Sequence, residues 1–472
     1  MSPHIISRRI TMKKGFKAVL SIALAAAMMF GMTACGGGSS DGGDAAEAGK
    51  VLNVWCWNDE FQTRFNDYYP EVAEVAEDGS TTTLKDGTVV NWIIEPNEGN
   101  NYQNKLDEAL LAQESADADS KVDMFLVEAD YARKYTNSDA TMKVADLPGV
   151  LDATADQYDY TKEVVSDADG NVKGVSWQAC PGLIAYRRSI AKEVLGSDDP
   201  EVVQEALADW DKFAETAQKM QDAGYKMLSG YDDTFRPFYN NDAAPFVEDG
   251  KTLNIDKNIM EWVKMTKDYT DKGWNNKTSL WAAEWSADQG KDAKVFCLPA
   301  CTWEIDFVMT GNADPDGTQD PEKSAWGDYA VCVGPVSWCW GGTWVTAATG
   351  TDNIDLIADI MIKMTTDADI LNKIAVEKGD FVNSKSVIAD LAANYEGNSF
   401  LGGQNHYALL SDSAAGLSLK IASPYDQGVI EKMQNSMKDY FDGNVDLDGA
   451  KANFETAIKE IYPEIETVNW PE

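Results

Sequence analysis

The sequence predicts an α/β protein built as two domains. Three observations carry this. About 420 residues follow a leader and linker, too many for one hydrophobic core and enough for two domains of roughly 200 residues each. Near-continuous apolar runs alternate with segments of helical period, the pattern of a sheet covered on both faces. Polar side chains gather directly after those runs, and in an open parallel sheet ligands bind at the carboxyl ends of the strands.

The leader comes first. From Met12, "MKKGFKAVLSIALAAAMMFGMTAC" has a lysine-rich start, an apolar stretch from Ala18 to Met32 and small residues before Cys35. That is a secretory signal, and the stretch is short for a membrane span of about twenty residues. Residues 1–34 are read as the signal and 35–49, "CGGGSSDGGDAAEAG", as a flexible linker. Removing the five basic residues before Cys35 leaves 35 Lys and Arg against 78 Asp and Glu, a balance of −43. Such a surface repels nucleic acid and anionic head groups. An apolar content of 44% with 15 Trp argues against disorder.

"VLNVWCWNDE" reads as a strand entering a polar loop, and "NWIIEPNEGN" as a second. "NYQNKLDEALLAQES" aligns Tyr102, Leu106, Ala109, Leu110 and Gln113 on one helical face. Val122–Val127 is a third strand, and "GVSWQACPGLIAYRRSIAKEVLG" gives strand, turn, strand and helix. Glu201 to Lys272 is expected to be helical. "AKVFCLPACTWEIDFVM" returns to a strand and then a helix, and two more helices follow over Ile354–Met364 and Asp369–Val376.

Six cysteines besides Cys35 are too few for a disulfide framework in so long a chain. Cys297 with Cys301, or Cys332 with Cys339, could bridge, and buried thiols fit equally. No zinc site is expected, because the spacings are wrong and His406 is the one histidine after the leader. "NADPDGTQDPEK" partly fits a calcium loop but ends on Lys323 where a glutamate is needed, so it reads as a solvated turn. No metal and no cofactor is expected.

The candidate site is a set of acids and aromatics. Asp59, Glu128 and Asp130 follow strands. Trp57, Trp177, Asp232, Trp285 and Trp303 lie near or after them. In "GPVSWCWGGTWVT", Trp338, Trp340 and Trp344 share one parity and would face one way if the chain is extended. A core row of three indoles must satisfy three N–H groups, and Gly341-Gly342 marks a close approach. Both features favour a binding face, though the glycines could also turn the chain between Trp340 and Trp344. Flat rings mixed with carboxylates and amides suit a sugar, whose C–H face stacks while its hydroxyl rim takes directed hydrogen bonds.

Taken with "VDMFLVEADYARKYTNSDA", "CVGPVSWCWGGTWV", "VEKGDFVNSKSV" and "FLGGQNHYALLSDSA", the chain resembles the extracellular solute-binding lipoproteins of carbohydrate ABC importers, the maltose-binding-protein-like group. The resemblance implies a two-lobe periplasmic-binding-protein-like fold of type II with the ligand clamped between lobes. It implies crossings near Val175–Pro181, Gly341–Val345 and Phe400–Asn405, hence a first lobe of 50–178 with 345–400 and a second of 179–344 with 401–472. It puts Asp59, Glu128, Asp130, Trp177, Trp303 and Gln404 at the cleft, and makes the three late tryptophans stacking surfaces. Met32-Thr33-Ala34-Cys35 resembles a lipobox, with Met for the usual Leu, which implies lipidation at Cys35 and tethering to the outer face of the cell membrane. The implied activity is that of a monomeric oligosaccharide receptor serving an ABC permease, without catalysis and without nucleic acid. The rivals are a glycoside hydrolase and a receptor for cationic peptides or polyamines.

Overall fold

The structure is a computed structural model and describes residues 50–471. The expected signal, linker and Cys35 lie outside the described residues. Among those described, no helix is long and apolar enough to cross a membrane.

Five strands open the chain: β1 (Val51–Cys56), β2 (Val72–Val75), β3 (Thr81–Leu84), β4 (Val89–Ile94) and β5 (Met124–Glu128). β1 lies parallel to both β4 and β5, so all three deliver their carboxyl ends to one edge. Met124, Phe125, Leu126 and Val127 of β5 are all fully buried, as a strand covered on both faces requires. The phenol of Tyr102, on the helix Asn101–Leu111, donates to the carbonyl of Leu126 at 2.6 Å and ties that helix to the sheet. Here the expected apolar face holds: Tyr102 and Leu106 are completely buried.

The second half contains β6 (Gly182–Arg187), β7 (Leu228–Gly230), β8 (Thr252–Asn254), β9 (Asn275–Thr278), β10 (Cys297–Cys301) and β11 (Tyr329–Cys332). β6 is buried at every position and is the centre of a three-stranded sheet, β10-β6-β11, whose pairs are antiparallel. β12 (Thr343–Ala347) then returns to the first sheet and pairs antiparallel with β5, giving the order β12-β5-β1-β4-β3-β2. The last strand, β13 (Thr467–Asn469), pairs with β8. A helical core fills the far side of this half. It packs Trp262 of the helix Lys257–Lys272, Met433 of Asp426–Phe441 and Phe454 of Leu447–Ile461 together.

Two expectations need correction. The stretch Glu201–Lys272 is not all helix, because β7 and β8 interrupt it. Both are three-residue strands, too short to show a period-two signal. The sheets are not purely parallel: β2 and β3 form an antiparallel hairpin at the edge of the first sheet, and the sheet around β6 is antiparallel. Tyr407 and Leu410 pack in a core cluster that also holds Met124 of β5 and Leu183 of β6, with the Tyr407 phenol donating to Ala375, whereas Ile421 and Val429 join the helical core.

Two connections run side by side between the halves. Val175 bridges Val345, and Pro181 bridges Cys339, both antiparallel. All six described cysteines are free and buried, so neither of the two possible bridges forms. The Asn312–Lys323 segment closes on itself, with Asp314 accepting from the amide of Gln319 and Lys323 pairing with Asp320. Among the described residues no group of three or more His, Cys, Asp or Glu is placed to hold a metal ion.

Candidate functional site

A cleft of about 660 Å³ lies where the strand ends of the first sheet meet the second half of the chain. Its first wall is built by the loops after β1, β4 and β5, which bring in Trp57, Asn58, Glu60, Asn97, Glu128, Asp130 and Tyr131. The floor comes from the two connections through Gln178 and Trp340 to Thr343. The other wall holds Tyr231, Asp232 and Arg236, the aromatics Trp281, Trp303 and Phe307, and one face of the helix Asp426–Phe441.

The aromatics form two groups. Trp57 stands edge-on to Tyr102 and Tyr131, with ring centroids 5.8 and 6.0 Å apart. Opposite, Trp281 stacks near Trp303 at 6.2 Å, and Trp340 closes the group at 5.4 Å from Trp303. The Trp303 indole N–H donates to the backbone carbonyl of Trp340 at 2.9 Å, which orients the Trp303 ring. Trp281 is 45% exposed and Phe307 63% exposed, unusual for such large apolar side chains. Phe307 lies within one π-helical turn over Ile305–Met309.

Charge is arranged around one ion pair. Arg236 grips Asp130 with both terminal nitrogens, at 2.6 and 2.5 Å, and its guanidinium lies 5.2 Å from the Trp340 ring centroid. The pair spans the cleft from the β5 loop to the helix Phe235–Tyr239. Burial, and next the neighbouring Asp130 charge, push Glu128 up to about 8. Burial also raises Asp232 to about 6, against a hydrogen bond from the Leu280 amide. Glu60 is raised by burial too, although Arg64 opposes this and Gln178 donates to it at 2.7 Å.

Of the residues expected at the site, Trp57, Glu128, Asp130, Asp232, Trp303 and Trp340 line this cleft. The other six do not, for identifiable reasons. Asp59 is exposed before the helix Glu60–Tyr68 and makes no side-chain capping bond. Trp177 is buried against Phe61 and donates to Asp380 at 3.0 Å. Trp285 is buried behind Trp281, with ring centroids 5.5 Å apart. The Gln404 amide is spent on both backbone groups of Val331, each at 2.8 Å, where it extends the edge of β11.

Trp338 and Trp344 leave the face that parity assigned them. Only Thr343 onward is strand, and Gly341 and Gly342 turn the chain at φ +73° and +102°. A side chain could not follow: a Cβ on Gly341 would lie 3.0 Å from the Trp303 ring nitrogen. Trp344 is buried, and its N–H donates to the Thr161 carbonyl at 2.7 Å. Trp338 packs flat under Gly182, where an added Cβ would come within 2.2 Å of its ring.

The sequence reading missed Trp281, Phe307, Gln178 and the helix Asp426–Phe441. A signal for the helix was present, since Gln427, Glu431, Gln434 and Lys438 recur at helical spacing. None was available for Phe307, which lies in a π-helical turn that periodicity does not show.

The family model for bacterial extracellular solute-binding proteins matches residues 83–396. The chain belongs to that family. A solved extracellular solute-binding protein of family 1 overlays this member with a TM-score of 0.68 at 15% identity, covering 88% of this chain and 99% of that one. An ABC-transporter-associated binding protein from B. animalis subsp. lactis Bl-04, in complex with β-1,6-galactobiose, overlays at 0.62 with 19% identity, covering 89% and 100%. The galacto-N-biose-/lacto-N-biose I-binding protein of Bifidobacterium longum, in complex with lacto-N-biose, does so at 0.62 with 13% identity, covering 88% and 99%. At these identities the solved structures establish the two-lobe fold of this solute-binding protein. No curated protein sequence matches the chain.

The buried acids set a pH dependence. Burial holds Glu128 and Glu304 near 8 and Asp233 and Asp426 near 7. Their unfolded values lie near 4, so the stability from burying them neutral is complete below that and is lost as pH rises through 7 to 8. His406 opposes this: burial lowers it to about 4, so its contribution is present above about 6.5 and lost toward 4. Four acids outweigh one base, and the melting temperature is expected to fall from pH 5.5 to pH 8 when followed by calorimetry at fixed ionic strength. A rise over that range would contradict these assignments.

Proposed function

We propose that this solute-binding protein captures an oligosaccharide in the cleft and delivers it to the permease of an ABC importer without chemical change. The observation that carries the reading is the aromatic group Trp281–Trp303–Trp340 facing carboxylates and amides across one cleft. Indole faces take the C–H surface of a pyranose, and the polar groups take its hydroxyls. The floor is made by the two connecting segments, so closure of the halves would bury a ligand from both sides. Ligand would shift the population by its differential affinity for the closed form. The saccharides in the two complexes named above, β-1,6-galactobiose and lacto-N-biose, agree with this reading.

The test is a glycan-array screen followed by calorimetry of the best ligands, with chromatography of each mixture after prolonged incubation. Tight binding with intact saccharide is expected. Cleavage products would favour a hydrolase, in which the neutral Glu128 would be the acid. A second reading, a receptor for polyamines or cationic peptides, is favoured by Asp232 and Glu431, which line the cleft and make no ion pair among the described residues. Titrating polyamines in the same calorimeter separates the two.

The reading also includes lipidation at Cys35 and an anchored monomer on the outer face of the membrane. Cys35→Ala is expected to release the protein into the soluble fraction of fractionated cells. Full retention in the membrane fraction would contradict the lipid anchor.

A further inference from the structure

The helix Asp426–Phe441 divides into two faces. One buries Val429, Met433, Met437 and Phe441 in the helical core. The other lays Gln427, Glu431, Gln434, Asn435 and Lys438 along the cleft. The first and last of these, eleven positions apart, span about 16 Å at 1.5 Å per residue. The stripe lies beyond the residues that match the family model.

Its members are not equally free. Gln427 receives a bond from Gln103 at 2.7 Å and donates to Asn100 at 3.0 Å and Glu431 at 3.2 Å. Lys438 donates to Ser279 at 3.1 Å. Gln434 and Asn435 have no side-chain hydrogen bond or ion pair among the described residues, yet both border the cleft. Each offers two donors and one acceptor oxygen in fixed directions. The stacking wall differs from them, because an indole face accepts any ring with a C–H surface.

We propose that Gln434 and Asn435 are specificity-determining residues of the cleft, reading which ring hydroxyls a bound saccharide presents, while the tryptophans supply affinity common to many sugars. This rests on the oligosaccharide reading above. A site that hydrogen-bonds a hydroxyl rejects the analogue that lacks or inverts it, because its own polar groups are then left unpaired.

The experiment compares Gln434→Ala, Asn435→Ala and the double variant with wild type and Trp340→Ala. Calorimetry is run against the tightest saccharide from the array and its epimers at single hydroxyls. In the double variant the affinity ratio between that saccharide and its most disfavoured epimer is expected to contract about tenfold or more. The melting temperature should be unchanged, because both side chains face the cleft. Trp340→Ala should weaken all the sugars together and keep the ratio. A double variant whose ratios stay within about twofold of wild type overturns the proposal and leaves the oligosaccharide reading standing. If wild type binds no saccharide at all, the oligosaccharide reading fails and this inference fails with it.

Discussion

Trp344→Ala is expected to lower folding stability by about 3–5 kcal/mol, the cost of emptying a buried aromatic site. Trp344 lies on β12, is 2% exposed, and is the donor that satisfies the Thr161 carbonyl. Truncation therefore leaves a void and an unpaired buried acceptor together, and the second adds about 1–3 kcal/mol where water cannot reach it. Trp338→Ala should also destabilise, through the void alone, since its ring fills the space under Gly182 and its N–H has no partner among the described residues. Thermal or urea unfolding measures both. Ligand binding, assayed well below the melting range, should survive in each. A Trp344→Ala protein that melts like wild type but binds no sugar would reverse the assignment of this residue from core to site.

Trp340→Ala carries the opposite expectation. Trp340 lines the cleft beside Trp303 and under the Arg236 guanidinium. A central stacking ring contributes about 2 kcal/mol or more on truncation, which exceeds tenfold in affinity at about 1.4 kcal/mol per decade. Its backbone carbonyl, which holds Trp303, survives the substitution. The cation–π contact to Arg236 is lost, at about 0.5–2 kcal/mol, but the Arg236–Asp130 pair keeps its two hydrogen bonds. Calorimetric affinity should fall by more than tenfold while the melting temperature moves little. Early melting in step with lost binding would make Trp340 a core residue as well.

These two residues show how far the sequence could be read. Trp340 and Trp344 have the same parity, and spacing alone cannot separate them. What separates them is a turn at two glycines of positive φ, the first of which approaches a ring, Trp303, distant in sequence. The strand-end loops were legible because a parallel arrangement of β1, β4 and β5 sends their carboxyl ends to one edge. Glu128, Asp130 and Trp57 follow from that rule. Gln404 and Trp177 were not legible as structural residues, because their polar groups are consumed by backbone and carboxylate partners distant in sequence. The alternation of apolar strands and helices foretold the α/β class, but the direction of pairing around β6 depends on connections that periodicity does not encode. The stripe on the helix Asp426–Phe441 was visible as a spacing and gained meaning only when the fold set it across from the aromatic wall.

The central claim is that a saccharide ring lies against the Trp340 side of this cleft, between the two halves of the chain. A crystal structure of the protein with the tightest saccharide from the glycan array tests it most directly. The account predicts the sugar between Trp57 and the Trp281–Trp303–Trp340 group, at least one ring stacked on an indole face, and Asp130 or Glu128 within hydrogen-bond reach of its hydroxyls. A tightly bound saccharide seated elsewhere, with the cleft left to solvent, would contradict it.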